Sequence, residues 1–178
     1  MENTNVITNI HIETSIPIYD NRRQDGEYMW VVEAIVKRQY TESPAYTKEG
    51  MGYERATTKN RLALLALDDA LYTLKPKTIS QVYVDNPNIM HPISEGWIYR
   101  WASDGWMRSH IKGDHKYLLP LENADLWQRI YHHLQDHPLI WAENEKSSYL
   151  SYMQTELRKN KQKIQIEHYM NKREGGDI

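Results

Sequence analysis

Apolar and β-branched residues form short runs near the amino terminus, separated by polar segments. Ile10 and Ile12 flank His11, an alternation that predicts a β-strand. Residues 21–26 are polar and end in a glycine, which predicts a turn before a segment rich in β-branched and aromatic residues. The pattern predicts three strands, the third weaker than the others, at residues 6–16, 27–38 and 46–56.

The first helix is predicted by a three- and four-residue spacing of leucines. The spacing places one apolar face on the segment, and Thr57 or Thr58 can cap its start. Pro76 predicts its end, because proline cannot continue a helix. The face comprises Leu64, Leu67, Leu71 and Leu74. Residues 79–85 then predict a short strand.

Helical and strand patterns continue to alternate in the second half of the chain. They predict helices at residues 95–104, 123–136 and 145–158, a loop at 105–122 and a strand at 139–142. Strands separated by helical crossovers pair in parallel. We therefore expect an α/β fold in which a five-stranded mixed sheet is flanked by helices. The domain is predicted to span residues 6–158, followed by a charged extension at 159–178 that is helical or disordered.

Composition limits the class of protein. A chain of 178 residues with 40% hydrophobic and 26% charged residues is expected to form one globular domain. No apolar run approaches the roughly 18 residues of a membrane span, and no signal peptide is recognised, so a cytoplasmic location is expected. The absence of cysteine excludes disulfides and thiolate metal sites. A net charge of −2 means that any nucleic-acid-binding surface must be a local patch.

Several segments together carry a family resemblance. Residues 96–131 contain four tryptophans and the run Asn-Ala-Asp-Leu-Trp-Gln at 123–128. Residues 56–62 read Ala-Thr-Thr-Lys-Asn-Arg-Leu, and residues 83–85 read Tyr-Val-Asp. These segments resemble, respectively, the hybrid-gripping region, the entry to the first helix and the fourth strand of ribonuclease HI. The resemblance extends over residues 8–155 and implies the ribonuclease H fold.

The resemblance also implies a catalytic site, which this sequence only partly matches. The family cleaves the RNA strand of RNA–DNA hybrids with two divalent metal ions, which carboxylates hold. At the four positions that normally carry them stand Glu13, Ala63, Asp85 and Ser148. Only Glu13 and Asp85 could act as catalytic residues or metal ligands, and Asp85 could equally be a turn-forming residue. Glu143 or Glu145 could serve as a replacement ligand.

The nucleic-acid contacts implied by the resemblance are better retained. Thr58 and Asn60 match family residues that touch the DNA phosphate and the RNA minor groove, and Lys59 adds a positive charge between them. The tryptophan-rich region adds Trp106, Arg108, Lys112 and Lys116 as candidate contacts. The other tryptophans, Trp97, Trp101 and Trp127, are expected mainly to pack.

Three hypotheses follow from the sequence. The leading one is a catalytically degenerate protein that binds RNA–DNA hybrid or structured RNA and needs no cofactor to do so. The second is an active nuclease with a rearranged carboxylate site, which would require Mg²⁺ or Mn²⁺. The third is a module that binds a protein partner, for example as an inhibitor. No hypothesis involves a membrane.

Overall fold

A computed structural model describes residues 5–38 and 41–174 of the chain. It contains twelve elements within those ranges. The strands are β1 (Asn5–Thr14), β2 (Gln24–Arg38), β3 (Thr41–Thr57), β4 (Ser80–Tyr83), β5 (Met107–Lys112), β6 (His115–Pro120) and β7 (Leu139–Trp141). The helices are α1 (Lys59–Tyr72), α2 (Pro87–Ser94), α3 (Trp97–Ser103), α4 (Ala124–Leu134) and α5 (Leu150–Glu174).

Five strands form one mixed sheet in the order β3-β2-β1-β4-β7. The first three pair antiparallel, whereas β4 pairs in parallel with both β1 and β7. Strand β1 is central, and Ile10 pairs with Val32 on one side and Val82 on the other. The prediction of a five-stranded mixed sheet flanked by helices is confirmed.

Helix α1 packs its leucine face on the sheet and forms the main core. Leu64, Leu67 and Leu71 are fully buried, which confirms these three positions of the predicted apolar face. Leu74 is also buried, but it lies beyond the end of the helix at Tyr72. Thr58 caps the helix, because its hydroxyl oxygen accepts a hydrogen bond from the Arg61 amide. A smaller core on the opposite face of the sheet comprises Met29, Val31, Met153 and Leu157. The fold therefore has helices on both faces of the sheet.

Arg61 fixes the amino-terminal end of α1. Its Nε atom lies 3.0 Å from Oε1 of Glu54 on β3, and its Nη2 atom lies 3.0 Å from Oδ2 of Asp125 on α4. The side chain also donates to Asn123, at the start of α4. Two neighbouring elements thus hold the helix start in one position, which determines where Thr58 and Asn60 lie.

Three parts of the sequence-based prediction were wrong. Strand β2 begins at Gln24, so residues 24–26 are not a turn. Residues 105–122 are mostly a β-hairpin of β5 and β6 and not a loop, closed by Gly113 at a φ of +61°. Helix α2 was not predicted, although Asn86 caps it and proline follows directly. These segments are polar or short, so they carry weak periodicity.

The last helix starts later and ends later than predicted. It begins at Leu150, because residues 145–149 form turns in which the Ser147 hydroxyl accepts from the Tyr149 amide. It continues to Glu174, so the domain boundary predicted at residue 158 falls inside a helix. Among the described residues, no helix combines the length and apolar character needed to cross a bilayer.

Candidate functional site

A cleft of about 950 Å³ lies where β1, β4 and β7 end beside α1 and α5. Parallel strands bring their carboxyl ends to one edge of a sheet, so residues that follow β1 and β4 meet there. Glu13 of β1 and Asp85 after β4 both line the cleft, and Ala63 of α1 lines it beside them. The sequence separates these three residues widely, and the fold brings them together as the resemblance implied.

Glu13 lies in surroundings that disfavour its negative charge. Burial raises the pKa of its carboxyl group, and the nearby Asp85 charge raises it further. Two hydrogen bonds oppose the shift, one from the Thr14 amide at 2.9 Å and one from the Gln154 side chain at 3.4 Å. A carboxyl group held in this way binds a cation less readily than a fully ionised one.

The remaining carboxylate positions do not complete a metal site. Ala63 is 1% exposed and contributes only a methyl group to the cleft. Ser147 lines the cleft, whereas Ser148 lies exposed in the turn before α5, and neither carries a charge. Within residues 5–38 and 41–174, no three histidine or carboxylate side chains are placed to hold a metal ion. The side chains present therefore do not fit the family's pair of divalent ions.

Glu143 and Glu145 also line the cleft, as a replacement ligand would have to. Both residues are exposed and lie in the turn after β7. Neither joins Glu13 and Asp85 in a group of three side chains placed to hold a metal ion among the described residues. They place negative charge at the rim of the cleft.

Positive side chains line the same cleft. Lys59 lies in the first turn of α1, and Arg158 and Lys161 lie on α5. Lys146, in the turn before α5, is a fourth. Carboxylates and cations thus share this cavity, unlike the predominantly acidic site that two-metal chemistry requires.

Thr58 and Asn60 flank Lys59 at the start of α1. Thr58 serves as the helix cap, so its hydroxyl oxygen already accepts one hydrogen bond. The Asn60 side-chain oxygen accepts a hydrogen bond of 3.0 Å from the Asn86 side chain, which leaves the Asn60 amide group as a donor. Both residues are half-buried, so a ligand that lies along this edge can reach them.

The β5–β6 hairpin presents two chemically different faces. Cross-strand partners lie on the same face and successive residues lie on opposite faces. One face carries Arg108, His110, Lys112, His115, Tyr117 and Leu119. The other carries Met107, Ser109, Ile111, Lys116, Leu118 and Pro120. We call the first set the cationic face; the predicted contacts Arg108 and Lys112 belong to it, whereas Lys116 lies on the opposite face.

The sequence favoured Trp106 as the tryptophan that contacts nucleic acid, whereas the structure leaves Trp97 more exposed than Trp106. Trp106 is half-buried and packs against Tyr131, with ring centroids 5.7 Å apart. Trp97 is 40% exposed and lies next to His91, a residue of the cleft. Trp127 is buried, as expected. Trp97 is therefore the more accessible aromatic ring near the cleft.

A buried polar cluster beside the cleft was not recognised in the sequence. His11 Nδ1 lies 2.8 Å from the Ser147 hydroxyl, and its Nε2 lies 3.6 Å from Glu33. Tyr149 donates to Glu33 at 3.1 Å, and the His11 ring stacks on Tyr83. Burial lowers the pKa of His11, against an opposing effect of Glu33. The cluster anchors the start of α5 to β1 and so orients the helix along the cleft.

The curated proteins that resemble this chain in sequence are ribonucleases H. No family model matches the chain. Ribonuclease HI of Rickettsia prowazekii is 35% identical over 95 residues, which are 53% of this chain and 57% of the relative. Ribonuclease H of Chlorobium phaeobacteroides is 41% identical over 86 residues, which are 48% of this chain and 54% of the relative. The chain thus spans a little over half the length of these curated relatives.

The fold has a counterpart among solved structures. The foamy viral protease–reverse transcriptase, solved in complex with double-stranded DNA, matches with a TM-score of 0.52 at 10% identity. The match covers 86% of this chain and 89% of that one. At this identity the likeness shows the fold alone. The resemblance found in the sequence is confirmed: this chain is a sequence relative of the ribonucleases H and has the ribonuclease H fold.

Proposed function

We propose that this protein binds nucleic acid, as RNA–DNA hybrid or structured RNA, without cleaving it efficiently. The observation that carries the proposal is the position of Ala63. Its methyl group lines the cleft beside Glu13 and Asp85, where the family resemblance implies a glutamate. Bacterial relatives of the chain are named ribonuclease H, and their substrate class is carried over here as part of the proposal.

The charge of the cleft supports the loss of efficient cleavage. Two divalent ions a few ångströms apart repel each other strongly unless several carboxylates neutralise them. Two of the four expected positions, Glu13 and Asp85, carry an acid, and burial disfavours ionisation of Glu13. Lys59 adds positive charge within the same cavity. Binding on this account requires no cofactor.

Two surfaces support the binding of nucleic acid. Thr58 and Asn60 flank Lys59, a residue of the cleft, and carry hydrogen-bonding groups that suit phosphate or a ribose 2′-hydroxyl. The cationic face of the hairpin adds Arg108 and Lys112 together with Tyr117, an aromatic residue on which a base can stack. Between Met107 and Pro120 the only acidic residue is Asp114, in the turn.

The two alternative functions, a rearranged nuclease and a protein-binding module, require different residues. A rearranged nuclease would need Glu143 or Glu145 to join Glu13 and Asp85, and would need Mg²⁺ or Mn²⁺. A protein-binding module would need neither the carboxylates nor Thr58 and Asn60. No contact within the described residues favours either alternative over nucleic-acid binding. A cytoplasmic location, expected from the sequence alone, stays a prediction.

Fluorescence anisotropy with a labelled RNA–DNA hybrid in EDTA tests the proposal. We expect binding that weakens steeply with salt, and a loss of about tenfold in affinity for Asn60→Ala, which removes a hydrogen-bonding group. Thr58→Ala should weaken binding too, but it also removes a helix cap worth about 1 kcal/mol. Thermal denaturation of each variant therefore accompanies the titration.

Thr47→Ala provides the matched control, because Thr47 is exposed on β3, where it pairs with Glu33, and is not part of the start of α1. Its affinity should equal that of the wild type. On the hairpin, Arg108→Ala with Lys112→Ala should reduce affinity more than Lys116→Ala, since Lys116 is on the opposite face. Absence of binding to hybrid and to structured RNA would overturn the proposal.

A further inference from the structure

The first turn of α1 places a positive charge in the cleft at the level of the missing carboxylate. Lys59 and Ala63 are one helical turn apart and both line the cavity. Lys59 is only 8% exposed. None of the ion pairs found among the described residues involves it. Its ammonium nitrogen is not among the buried polar atoms without a partner, so the aliphatic stem is covered while the charged end meets the cleft, where an anion can reach it.

Helix α5 contributes a stripe of side chains to the opposite wall. Gln154, Arg158 and Lys161 are spaced by four and three residues, so they lie on one face of the helix, and all line the cleft. Among the described residues, Arg158 donates to neutral groups of its own helix, the Gln154 carbonyl and the Thr155 hydroxyl. The described residues provide no carboxylate partner for Lys161.

Two other lysines of α5, Lys159 and Lys163, form ion pairs with glutamates of the same helix. Lys159 forms an ion pair of 2.8 Å with Glu156, and Lys163 lies 4.0 Å from Glu167. Neither lysine lines the cleft. Arg158 and Lys161 thus line the cleft without an ion pair among the described residues, whereas Lys159 and Lys163 are paired outside it. This arrangement is what a site for an external anion requires.

The acidic residues of the cleft are not placed to neutralise these cations. Glu143 and Glu145 are exposed at the rim, and Glu13 contacts the Thr14 amide and Gln154 in place of a cation. Asp85 is the remaining acid of the cleft and is exposed. Space and charge for an anion thus remain between α1 and α5.

We propose that Lys59, Arg158 and Lys161 bind phosphate groups of the nucleic acid directly, in the place where a ribonuclease H site would hold divalent ions. Arginine can hold two phosphate oxygens at once, and lysine supplies a point charge. The identification of nucleic acid as the natural ligand of this site rests on the proposed function. Phosphate binding at this site can be tested independently of the proposed function, because the three cations should bind inorganic phosphate without any metal.

Two titrations in EDTA test the site. The first measures hybrid affinity of Arg158→Ala with Lys161→Ala against Lys159→Ala with Lys163→Ala, which removes the same number of charges from the paired lysines. We expect the first double variant to lose about tenfold per side chain and to reduce the salt dependence by about two phosphate contacts. The control pair should change affinity by less than about twofold. Addition of Mg²⁺ should not increase the affinity.

The second titration uses inorganic phosphate and follows backbone amide resonances of the wild type. Shifts should concentrate at residues 59–63 and 158–161 and should be lost in Arg158→Ala with Lys161→Ala. Lys59→Met, which keeps the aliphatic stem, should lose them too if thermal denaturation shows that it folds. Arg158→Lys should retain them in part.

The outcomes separate the two proposals. Hybrid binding in EDTA that the cleft variant and the control variant weaken equally would overturn the anion site and leave the proposed function intact. Hybrid binding that requires Mg²⁺ would overturn both. Phosphate shifts at the cleft without binding to hybrid or to structured RNA would support the anion site and overturn the proposed function. Shifts spread over the whole surface would show only nonspecific charge attraction and would also overturn the site.

Discussion

Two pairs of carboxylates on this domain differ in whether neighbouring side chains contact them. Asp68 and Asp69, near the middle of α1, are both engaged by neighbouring side chains. Arg129 of α4 lies 3.1 Å from Asp68, and the Tyr28 hydroxyl donates to Asp69 at 2.6 Å. Glu13 and Asp85 face the cleft, and no ion pair among the described residues involves either.

The difference separates acids that hold the fold together from acids that face the cleft. Asp68 joins α1 to α4, since His133 also lies 3.3 Å from it. Asp69 joins α1 to β2 through Tyr28, and burial together with the Asp69 charge raises the pKa of that tyrosine. Removing the first pair should therefore damage stability, whereas changing the second pair should alter binding and metal affinity.

Asp68→Ala should have the largest effect. The change removes the partner of Arg129 and His133 from a largely buried position, so we expect a loss of about 2 kcal/mol in the free energy of unfolding. Urea denaturation measures it. The same substitution at Asp85 is the internal control and should cost no more than about 0.5 kcal/mol. Equal losses at the two positions would contradict the distinction between the two pairs.

Ala63→Glu should move the cleft back toward a metal site. A third carboxylate beside Glu13 and Asp85 adds both a ligand and a negative charge, so affinity for Mn²⁺ should rise by about tenfold. Calorimetric titration measures the change. Ala63→Gln has the same size without the charge and should bind no better than the wild type. If both variants bind Mn²⁺ equally, the missing glutamate is not what limits metal binding.

Asp85→Asn should have a smaller and opposite effect on nucleic acid. Because the account gives Asp85 no metal to hold, its charge only repels phosphate, and affinity for hybrid should rise by about twofold. Anisotropy in EDTA and in Mg²⁺ should give the same increase. A fall in affinity that occurs only in Mg²⁺ would mean that a metal ion bridges Asp85 and the ligand.

Glu13→Gln should change the pH dependence of stability. Burial raises the pKa of Glu13 in the folded protein, so its stabilising effect is present at acidic pH and is lost as the pH rises from the unfolded value through the folded one. Glutamine cannot ionise and should remove this loss. The variant should therefore gain stability relative to the wild type as pH rises above about 4.5. Thermal denaturation over that range measures it, and parallel curves would contradict the raised pKa.

The main helices and the sheet could be predicted because their signals are local. The leucine spacing and the Thr58 cap specify α1 without reference to any other element. The hairpin was missed because its strands are rich in charged residues and histidine, although Gly113-Asp114 is a recognised two-residue turn signal. Polar strands exposed on both faces lack the alternation on which strand prediction depends.

The site was predicted only where a motif carried it. Glu13, Ala63 and Asp85 were found through their neighbours in the family pattern, and the fold places all three in one cleft. Lys59 and the stripe on α5 lie about a hundred residues apart in the sequence. Their approach depends on how α5 docks, which the His11 cluster determines. A single histidine within an apolar alternation was the one local sign of that cluster.

The most direct test of the account is to incubate a labelled RNA–DNA hybrid with the protein in EDTA, Mg²⁺ and Mn²⁺. Cleavage and gel shift are read from the same samples. The account predicts a shift in all three conditions and no cleavage above background. Metal-dependent cleavage that disappears in Asp85→Asn would contradict it, because the two remaining carboxylates would then support catalysis.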